Sequence, residues 1–507
     1  MSLIEQMLQA GFYPHEVVEP IELIQTHVSY VFLTGNYAYK VKKPVNFGFL
    51  DYSTLDARSH FCHQELEMNQ RGAPELYLEV LPVTQAGDKF SLGGTGEAVE
   101  YVLKMRQFPQ SALLSEMFEK GTLTEAHMKE LGQVVAKYHE QSHSSDRIRT
   151  FGEVAQVRQA IDENYEQTKN YIGTAQTQTQ YAQTKKYTDN FFVGRSSLFQ
   201  SRIENNKIRE CHGDLHLRNI CLWNDKILLF DCIEFNEPFR FVDVMYDVAF
   251  TVMDLQARKR SDFGNAFLNT YAEQTGDWEG LQVLPLYLSR QAYVRAKVTS
   301  FLLDDPGIPE AAKVEAAATA SGYYKLAWEY TKPRQGKLIL MSGLSGAGKS
   351  TTAQLLARKL DAIHLRSDAV RKHLGNIPLS ERGSDELYTP QMTQKTYDRL
   401  LQLGVMLAHQ GFTVILDAKY DRVALRMNAI DLASFQQLPL QIIHCTAPIE
   451  VLRERLSART GDIADATADL LESQIANTEA FTTVEQPYVQ TLDTTKPLEP
   501  QLVTMYK

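Results

Sequence analysis

A glycine-rich octapeptide lies between a short apolar run and a helical stretch of the 507-residue chain: Gly343-Leu344-Ser345-Gly346-Ala347-Gly348-Lys349-Ser350. The apolar run, Leu338–Met341, has the length of a strand, and Thr351–Leu360 has a helical pattern. In this order, glycines let backbone N–H groups curl around phosphate oxygens, and the helix N-terminus adds partial positive charge. The pattern is a complete P-loop, and it predicts an α/β fold that binds a nucleoside triphosphate.

Two more strand-sized runs follow the P-loop, Val414–Leu416 and Gln441–His444, with helical segments between them. Strands that alternate with helices predict a parallel sheet covered by helices on both faces. Within the loop, we expect Lys349 to reach the β and γ phosphates and Ser350 to bind Mg²⁺. The residues predicted to contact the nucleotide are Gly343, Ser345, Gly346, Ala347, Gly348, Lys349, Ser350 and Thr351.

Charged residues near this loop suggest group transfer. Asp368 follows a short predicted strand, and Arg371 lies one helical turn further on. A carboxylate there suits the proton of an attacking hydroxyl, and an arginine suits an acceptor or a phosphate. Asp417, at the end of its strand, is predicted to contact Mg²⁺ through water. The alternatives are a helix N-cap with a solvated arginine at the first pair and a turn aspartate at Asp417.

A predicted helix, Ile449–Thr460, carries three arginines: Arg453, Arg455 and Arg459. An arginine on such a helix can close over the transferred phosphoryl group as part of a lid. We expect Arg455 and Arg459 to contact the nucleotide. The sequence does not select the lid residue among the three, and the alternative for each is a solvated side chain.

The first half of the chain carries a second phosphate-type motif, His212-Gly213-Asp214-Leu215-His216-Leu217-Arg218-Asn219. Asp214 would orient or deprotonate an acceptor hydroxyl, and Asn219 would turn back toward Mg²⁺. The strand Ile227–Phe230 then ends at Asp231, which would ligate the metal that bridges the β and γ phosphates. The alternative is a chance assembly of turn residues. Glu234 and Glu237, just beyond, are interpreted as part of a solvated turn, and the alternative is an acidic rim that attracts a cationic substrate.

Residues 1–110 read as a β-rich lobe with one helix, Leu55–Gln70, and residues 111–330 read as mostly helical. The strand Tyr37–Lys42 places Lys40 and Lys42 on one face, because strand side chains alternate. Lys40 is the predicted nucleotide lysine, and Glu65 its predicted partner. The alternatives are an exchange of roles with Lys42, Glu67 as the partner, a surface strand of lysines and a solvated glutamate. Other predicted strands are Val28–Leu33, Leu76–Val83 and Ala98–Arg106, and the polar segment Glu166–Asp189 is either a helical insertion or a mobile excursion.

These residues carry two family resemblances. The His-Gly-Asp motif, the strand-end Asp231 and Asp247-Val248-Ala249 resemble the aminoglycoside phosphotransferase and choline kinase branch of the kinase-like fold. The P-loop, Asp368-x-x-Arg371 and Asp417-Ala418 resemble P-loop kinases of the polynucleotide kinase, zeta-toxin and gluconate kinase group. The domain order resembles a bacterial two-domain family that joins both. One departure is the turn Thr34-Gly35-Asn36, which replaces a glycine-rich loop between the first two predicted strands.

The resemblance implies two domains: a bilobal α+β kinase-like domain at 1–330, a linker at 331–336, and an α/β P-loop domain at 337–507. It implies ATP and Mg²⁺ in both domains and γ-phosphoryl transfer to a hydroxyl, on a small molecule or on a nucleic-acid end. Two alternatives stay open. Either a P-loop ATPase or kinase is regulated by a kinase-like sensing domain, without aminoglycoside modification, or the chain is an ATPase that releases no phosphorylated product.

Composition and charge restrict the partners and the cellular compartment that we expect for the protein. A net charge of -10 disfavours non-specific nucleic-acid binding, which needs a basic surface. Five cysteines, an odd number without a Cys-x-x-Cys pair, fit a reducing compartment. The N-terminus does not read as a signal peptide, and no apolar run reaches the roughly 20 residues of a membrane span. We therefore expect a cytoplasmic protein without a membrane partner.

Overall fold

The computed structural model describes residues 1–48 and 50–506. Its N-terminal part contains a six-stranded antiparallel sheet with strand order β1-β2-β3-β6-β4-β5. The strands are β1 (Glu22–Gln25), β2 (Ser29–Leu33), β3 (Tyr37–Lys42), β4 (Tyr77–Ala86), β5 (Lys89–Leu92) and β6 (Ala98–Arg106). Helix α1 (Leu3–Met7) precedes the sheet, and α2 (Leu55–Asn69) connects β3 to β4.

The presence of β1 corrects one expectation. The short strand Glu22–Gln25 pairs with β2, so the turn between the first two strands is at residues 26–28. Thr34-Gly35-Asn36 instead joins β2 to β3. The sequence prediction missed β1 because four residues, none of them buried, give almost no alternation to detect. A comparison with the glycine-rich loop of kinases therefore belongs at Thr26–Val28.

Strand β3 has two faces that pack against different neighbours. Tyr39 and Val41 are buried among apolar residues of the N-terminal segment, including Met7. Lys40 and Lys42 lie on the opposite face and contact Glu65 of α2. Helix α2 begins at the N-cap Thr54, whose side chain accepts a hydrogen bond from the Ala57 N–H. This packing holds both lysines over one buried carboxylate.

Helices dominate residues 111–330, as predicted. They are α3 (Leu114–Glu119), α4 (Glu125–Gln141), α5 (Asp146–Thr150), α6 (Val154–Gln167), α7 (Gln178–Phe192), α8 (Ser196–Glu204), α9 (Glu237–Arg240), α10 (Val244–Ala257), α11 (Ser261–Thr275), α12 (Leu284–Phe301) and α13 (Glu310–Glu329). Two small antiparallel strand pairs flank the His-Gly-Asp motif. They are β7 (Ile208–Glu210) with β10 (Phe241–Asp243), and β8 (Ile220–Trp223) with β9 (Lys226–Leu229). The segment Glu166–Asp189 is a helical insertion, because α6 and α7 occupy most of it and pack against α12.

The C-terminal part is a five-stranded parallel sheet with order β12-β13-β11-β14-β15. Its strands are β11 (Lys337–Ser342), β12 (Ile363–Arg366), β13 (Thr413–Asp417), β14 (Leu440–Thr446) and β15 (Val489–Asp493). Its helices are α14 (Lys349–Leu360), α15 (Ser367–Leu374), α16 (Pro390–His409), α17 (Val423–Phe435), α18 (Ile449–Ala458), α19 (Leu471–Asn477) and α20 (Leu498–Met505). The central strand β11 leads into the P-loop, as its four buried apolar residues predict.

The two parts pack directly on one another. Helix α11 contacts α14 and β12 across the boundary, and one apolar cluster of buried residues continues through both parts. Residues 331–336 contain no helix or strand. We keep a domain division there as a proposal. Among the helices that the structure describes, none is both long enough and apolar enough to cross a membrane.

Candidate nucleotide sites

The loop that carries Asp214 is held from behind by one buried carboxylate. Asp247 of α10 accepts hydrogen bonds from the backbone N–H groups of His212, at 2.7 Å, and Gly213, at 2.9 Å. Gly213 has a positive φ of 83°, and a Cβ there would lie 2.7 Å from the Phe239 carbonyl oxygen. The glycine is therefore required by both backbone conformation and space.

Asp214 and Asn219 lie together. The Asn219 side-chain amide donates to the Asp214 carboxylate and to its backbone carbonyl, both at 3.0 Å. His216 lies beside this carboxylate, with its Nε2 3.4 Å from Asp214 Oδ2. Burial alone would raise the pKa of Asp214. The opposing effects of His216, His212 and Arg295 are larger together and lower the pKa to about 2. Asp214 is thus ionised at neutral pH and able to accept a hydrogen bond from a hydroxyl.

Lys40 joins the two lobes. Its Nζ donates to Glu65 Oε1 at 2.7 Å and to Asp231 Oδ1 at 2.8 Å. Glu67, the other candidate partner, is exposed on the far side of α2. Asp231 follows β9 with a positive φ of 57°, and its side chain is 47% exposed. Lysine, glutamate and aspartate therefore meet at the cleft between the lobes.

The structure adds three residues to this group. Lys42 Nζ donates to Glu65 Oε2 at 2.6 Å and to Glu234 Oε1 at 2.5 Å, and the Tyr52 hydroxyl also donates to Glu234 at 2.6 Å. The interpretation of Glu234 as a solvated turn residue is wrong, because its side chain is only 6% exposed. Two features of the sequence were consistent with this role: Glu234 lies three residues after Asp231, and β3 carries a second lysine that needs a partner.

Glu65 makes a measurable contribution to stability. Burial raises its pKa, but Lys40 and Lys42 lower it more, to about 2, which is below its ordinary value of 4.5. The resulting stability is complete above about pH 4.5 and is lost as pH falls toward 2. We expect Glu65→Gln to lower the free energy of unfolding by about 3–5 kcal/mol at pH 7, because two buried lysines lose a partner. Chemical denaturation at several pH values measures this, with exposed Glu67→Gln as the matched control. Equal stability of both variants would contradict it.

The P-loop glycines are required by their surroundings. Gly343, Gly346 and Gly348 have φ angles of 136°, 80° and 81°. A Cβ on Gly343 would lie 2.4 Å from the Cys445 carbonyl oxygen on β14. Lys349 folds back and donates from Nζ to the Leu344 carbonyl oxygen at 2.8 Å. The loop therefore has the shape that wraps phosphate, with its lysine at the mouth.

Asp417 lies beside the P-loop strand. It pairs in register with Met341 of β11, and its Oδ2 is 2.9 Å from His364 Nε2. Burial raises the Asp417 pKa, but the His364 hydrogen bond and charge lower it more, to about 2. The sequence prediction did not include His364, a polar residue inside the short strand β12.

Asp368 lies in the first turn of α15, directly after β12. Burial and the nearby Asp417 raise its pKa, while Arg366 and Arg371 lower it to a lesser extent. A carboxylate with a raised pKa is better suited to accept a proton than an ordinary aspartate. The charges of Asp417 and Asp368 both act on the pKa of Lys349, so the three side chains lie near one another.

The basic residues near Asp368 form hydrogen bonds with other groups of the protein. Arg371 donates to the Leu387 carbonyl oxygen at 2.7 Å, and Lys372 donates to the Glu381 carbonyl oxygen at 2.6 Å. Arg366 is hydrogen-bonded to Asp462, while its Nε is buried and has no hydrogen-bond partner among the described residues. Arg371 and Lys372 are therefore not free to bind a nucleic-acid backbone beside Asp368.

The three arginines of α18 differ in their contacts. Arg453 is half exposed and pairs with Glu472. Arg455 donates to the Gly346 carbonyl oxygen of the P-loop at 3.3 Å and to Thr494. Arg459 lies just past the helix end and is hydrogen-bonded to the Ala466 carbonyl oxygen. Arg455 thus supports the loop, and Arg459 belongs to the following segment, which contacts Arg366 of β12 through Asp462.

Comparisons with known proteins identify the group. A family model described as an AAA domain matches residues 338–481. An uncharacterized protein of Mycobacterium tuberculosis is 30% identical over 454 residues, which cover 89% of this chain and 88% of the relative. The same values hold for an uncharacterized protein of Mycobacterium bovis. The chain belongs to the family of these mycobacterial proteins. Because the match runs through both halves, the family contains both.

Solved structures overlap one half each. An amicoumacin kinase, solved with AMP-PNP, Ca²⁺ and its ligand, is 13% identical, covers 64% of this chain and 92% of its own, and has a TM-score of 0.41. A choline/ethanolamine kinase family protein from Mesorhizobium loti is 11% identical, covers 65% and 99%, and scores 0.38. A gluconokinase from Sinorhizobium meliloti is 20% identical, covers 33% and 88%, and scores 0.25.

The predicted fold class is confirmed. A bilobal α+β kinase-like part precedes an α/β P-loop part with a parallel sheet, and the family match extends across both. The predicted enzyme class, an ATP-dependent phosphotransferase, agrees with both folds. The roles of individual residues are proposed below.

Proposed function

We propose that the chain is a bifunctional phosphotransferase that transfers the γ-phosphoryl group of Mg·ATP to a hydroxyl in each half. The observation that carries this proposal is the position of Lys40, which contacts Glu65 and Asp231 at once. A kinase-like site needs this lysine–glutamate pair and the metal-binding aspartate in place together. A degenerate sensing domain would have no need to keep all three.

In the kinase-like half, Asp214 orients the acceptor hydroxyl and takes its proton. Asp231 and Asn219 supply oxygen ligands of the kind that Mg²⁺ prefers, and they fit the metal because both lie beside the candidate phosphate site. Bound Mg²⁺ would neutralise charge on the β and γ phosphates. Lys40 then releases Asp231 in part and binds phosphate oxygens, while Glu65 keeps the lysine in place.

In the P-loop half, Gly343 to Thr351 form the phosphate cradle and Lys349 reaches the β and γ phosphates. Ser350 and Asp417 offer the hydroxyl and carboxylate oxygens that suit Mg²⁺, and Asp417 is held for this role by His364. Asp368 accepts the proton of the attacking hydroxyl. Arg371 shapes the acceptor side from its buried position, and Arg455 and Arg459 contribute to the nucleotide side and to a closing segment.

A small-molecule acceptor is favoured over a nucleic-acid end. A polynucleotide substrate needs free basic residues along its backbone, and Arg371 and Lys372 are bound to protein carbonyl groups instead. Arg366 Nε is the free buried donor near Asp368 among the described residues, and it would suit one acceptor oxygen. We place the reaction in the cytoplasm, where Mg·ATP is abundant, and we divide the domains at 331–336.

The two sites should respond differently to pH. The Asp368 pKa lies above its ordinary 3.8, whereas the Asp214 pKa is lowered to about 2. A base loses activity as pH falls through its pKa, so the P-loop reaction should decline first on acidification. Initial rates of ATP-dependent product formation from pH 8 to pH 4 measure this in each single-site variant. An earlier decline of the Asp214-dependent reaction would contradict the assignment.

The test of the function uses γ-labelled ATP, Mg²⁺ and a metabolite and RNA extract. Wild type is compared with Asp214→Asn and Lys349→Ala, and labelled products are identified by mass. Two labelled products, each lost in a different variant, are expected. Only free phosphate, lost in Lys349→Ala alone, would overturn bifunctional transfer and favour the alternative, a P-loop ATPase with a kinase-like sensing domain.

A further inference from the structure

Strand β12 is an edge strand of the parallel sheet, paired with β13 on one side only. An edge strand leaves a row of backbone N–H and C=O groups without partners, and buried groups of this kind must find other ones. Its residues Ile363, His364, Leu365 and Arg366 are all buried. The open edge therefore faces protein, and the question is what satisfies it.

Helix α11 of the kinase-like half supplies the partners. Asn269 accepts a hydrogen bond from the His364 N–H at 2.8 Å and donates to the Ala362 carbonyl oxygen at 3.0 Å. Asn265, one turn earlier, donates to the same oxygen at 2.9 Å. The carboxamide of Asn269 thus binds the strand as the peptide group of a neighbouring strand would. The sheet edge of one half is completed by side chains of the other.

A second contact lies one turn further along α11. Glu273 Oε1 is 3.8 Å from Arg366 Nη1, and the Glu273 carbonyl oxygen is 2.8 Å from His373 Nε2 of α15. Helix α11 is itself firmly placed, since the Tyr271 hydroxyl is 2.9 Å from His139 Nδ1 within the core. Its contacts therefore fix both the strand β12 and the helix that follows it.

Strand β12, which α11 holds, is connected to both proposed catalytic carboxylates of the P-loop half. His364 binds Asp417, and Arg366 is followed after one residue by Asp368. A small shift of β12 would move the proposed metal contact and the proposed base together. Catalytic groups must be held to within about 0.5 Å by the residues that support them. Among the described residues, the side chains that hydrogen-bond the Ala362 carbonyl oxygen and the His364 N–H are those of Asn265 and Asn269.

We propose that Asn269 and Glu273 of the kinase-like half are positioning residues of the P-loop site. They hold β12 so that His364 keeps its contact with Asp417 of β13 and Asp368 stays next to the phosphate-binding loop. This inference rests on the proposed P-loop reaction for its kinetic test, and it extends that proposal by making the second site dependent on the first domain. The P-loop site is then complete only in the joined chain.

The experiment compares full-length wild type, Asn269→Ala and Glu273→Gln, with Gln274→Ala on the same helix as the matched control. Two quantities are measured: amide hydrogen exchange of peptides that cover 361–368, and Lys349-dependent ATP turnover as a function of Mg²⁺. Asn269→Ala should speed exchange in that peptide at least about 10-fold. It should also lower turnover or raise the Mg²⁺ requirement about 10-fold, the size seen when supports of metal ligands are removed. For Glu273→Gln, which removes no backbone bond, only the kinetic change is expected. Asp214-dependent turnover should stay within about twofold.

The outcomes separate the two proposals. Unchanged exchange and unchanged Mg²⁺ dependence in Asn269→Ala would overturn the positioning role. An equal loss of both reactions would also overturn it, since that indicates general unfolding. If wild type shows no Lys349-dependent turnover, the proposed function fails. In that case the exchange of 361–368 and the Mg²⁺-dependent binding of AMP-PNP to the P-loop decide the positioning role by themselves.

Discussion

Asp214→Asn is expected to lower kcat of the kinase-like half by about 100- to 10,000-fold, the usual contribution of a positioned proton acceptor. The amide keeps the size of the carboxylate but cannot accept the hydroxyl proton. It also replaces an oxygen that now binds the Asn219 side chain and faces His216. The ATP concentration for half-maximal rate should change little, because Asp214 acts on the acceptor. Steady-state kinetics with the acceptor from the extract assay measure both quantities.

Asp225→Asn is the matched control for this change, since Asp225 is exposed in the turn between β8 and β9. It should retain full activity. A wild-type kcat in Asp214→Asn would show that the His-Gly-Asp loop does not catalyse transfer. A loss of ATP binding without a change in kcat would instead assign Asp214 to the nucleotide.

Lys349→Ala is expected to lower ATP turnover by the P-loop half about 100- to 1,000-fold, the range found when one preorganised charge-stabilising donor is removed. Among the described residues, Lys349 Nζ donates its hydrogen bond to the Leu344 carbonyl oxygen of its own loop, so it is available to phosphate. Burial lowers its pKa, and the negative charge of bound phosphates would raise it again. Turnover is measured in an Asp214→Asn background, where the first half no longer transfers the phosphoryl group.

Lys359→Ala is the control here, because Lys359 is exposed at the far end of the same helix. It should behave as wild type does. Full turnover in the Lys349→Ala, Asp214→Asn double variant would place ATP hydrolysis outside both proposed sites.

Most of the fold could be predicted because its elements have strong local signals. Strand β3 and strand β6 have the predicted bounds, and the P-loop predicted its flanking strand and helix. The alternation of Lys40 and Lys42 placed both on one face, and Glu65 was found at the right distance along α2. These features depend on side-chain periodicity and on backbone conformations that only glycine adopts readily.

What could not be predicted depends on contacts distant in sequence. Strands β1 and β15 are short and carry little alternation, so they are defined by their neighbours in the sheet. Glu234 became a buried partner of Lys42 only through closure of the two lobes. The roles of His364 and Asn269 depend on the packing of α11 on β12, which brings the two residues together. No local pattern encodes a bond between residues 95 positions apart.

The most direct test of the account counts nucleotide sites in the intact chain. Equilibrium titration with Mg·AMP-PNP measures the number of moles bound per mole of protein, in wild type, in Lys349→Ala and in Lys40→Ala. We predict two sites in wild type and one high-affinity site in each variant, with the remaining site assigned by protection of the P-loop or of the cleft around Asp231. A single site in wild type, lost in Lys349→Ala and unaffected by Lys40→Ala, would contradict the claim that both halves bind ATP.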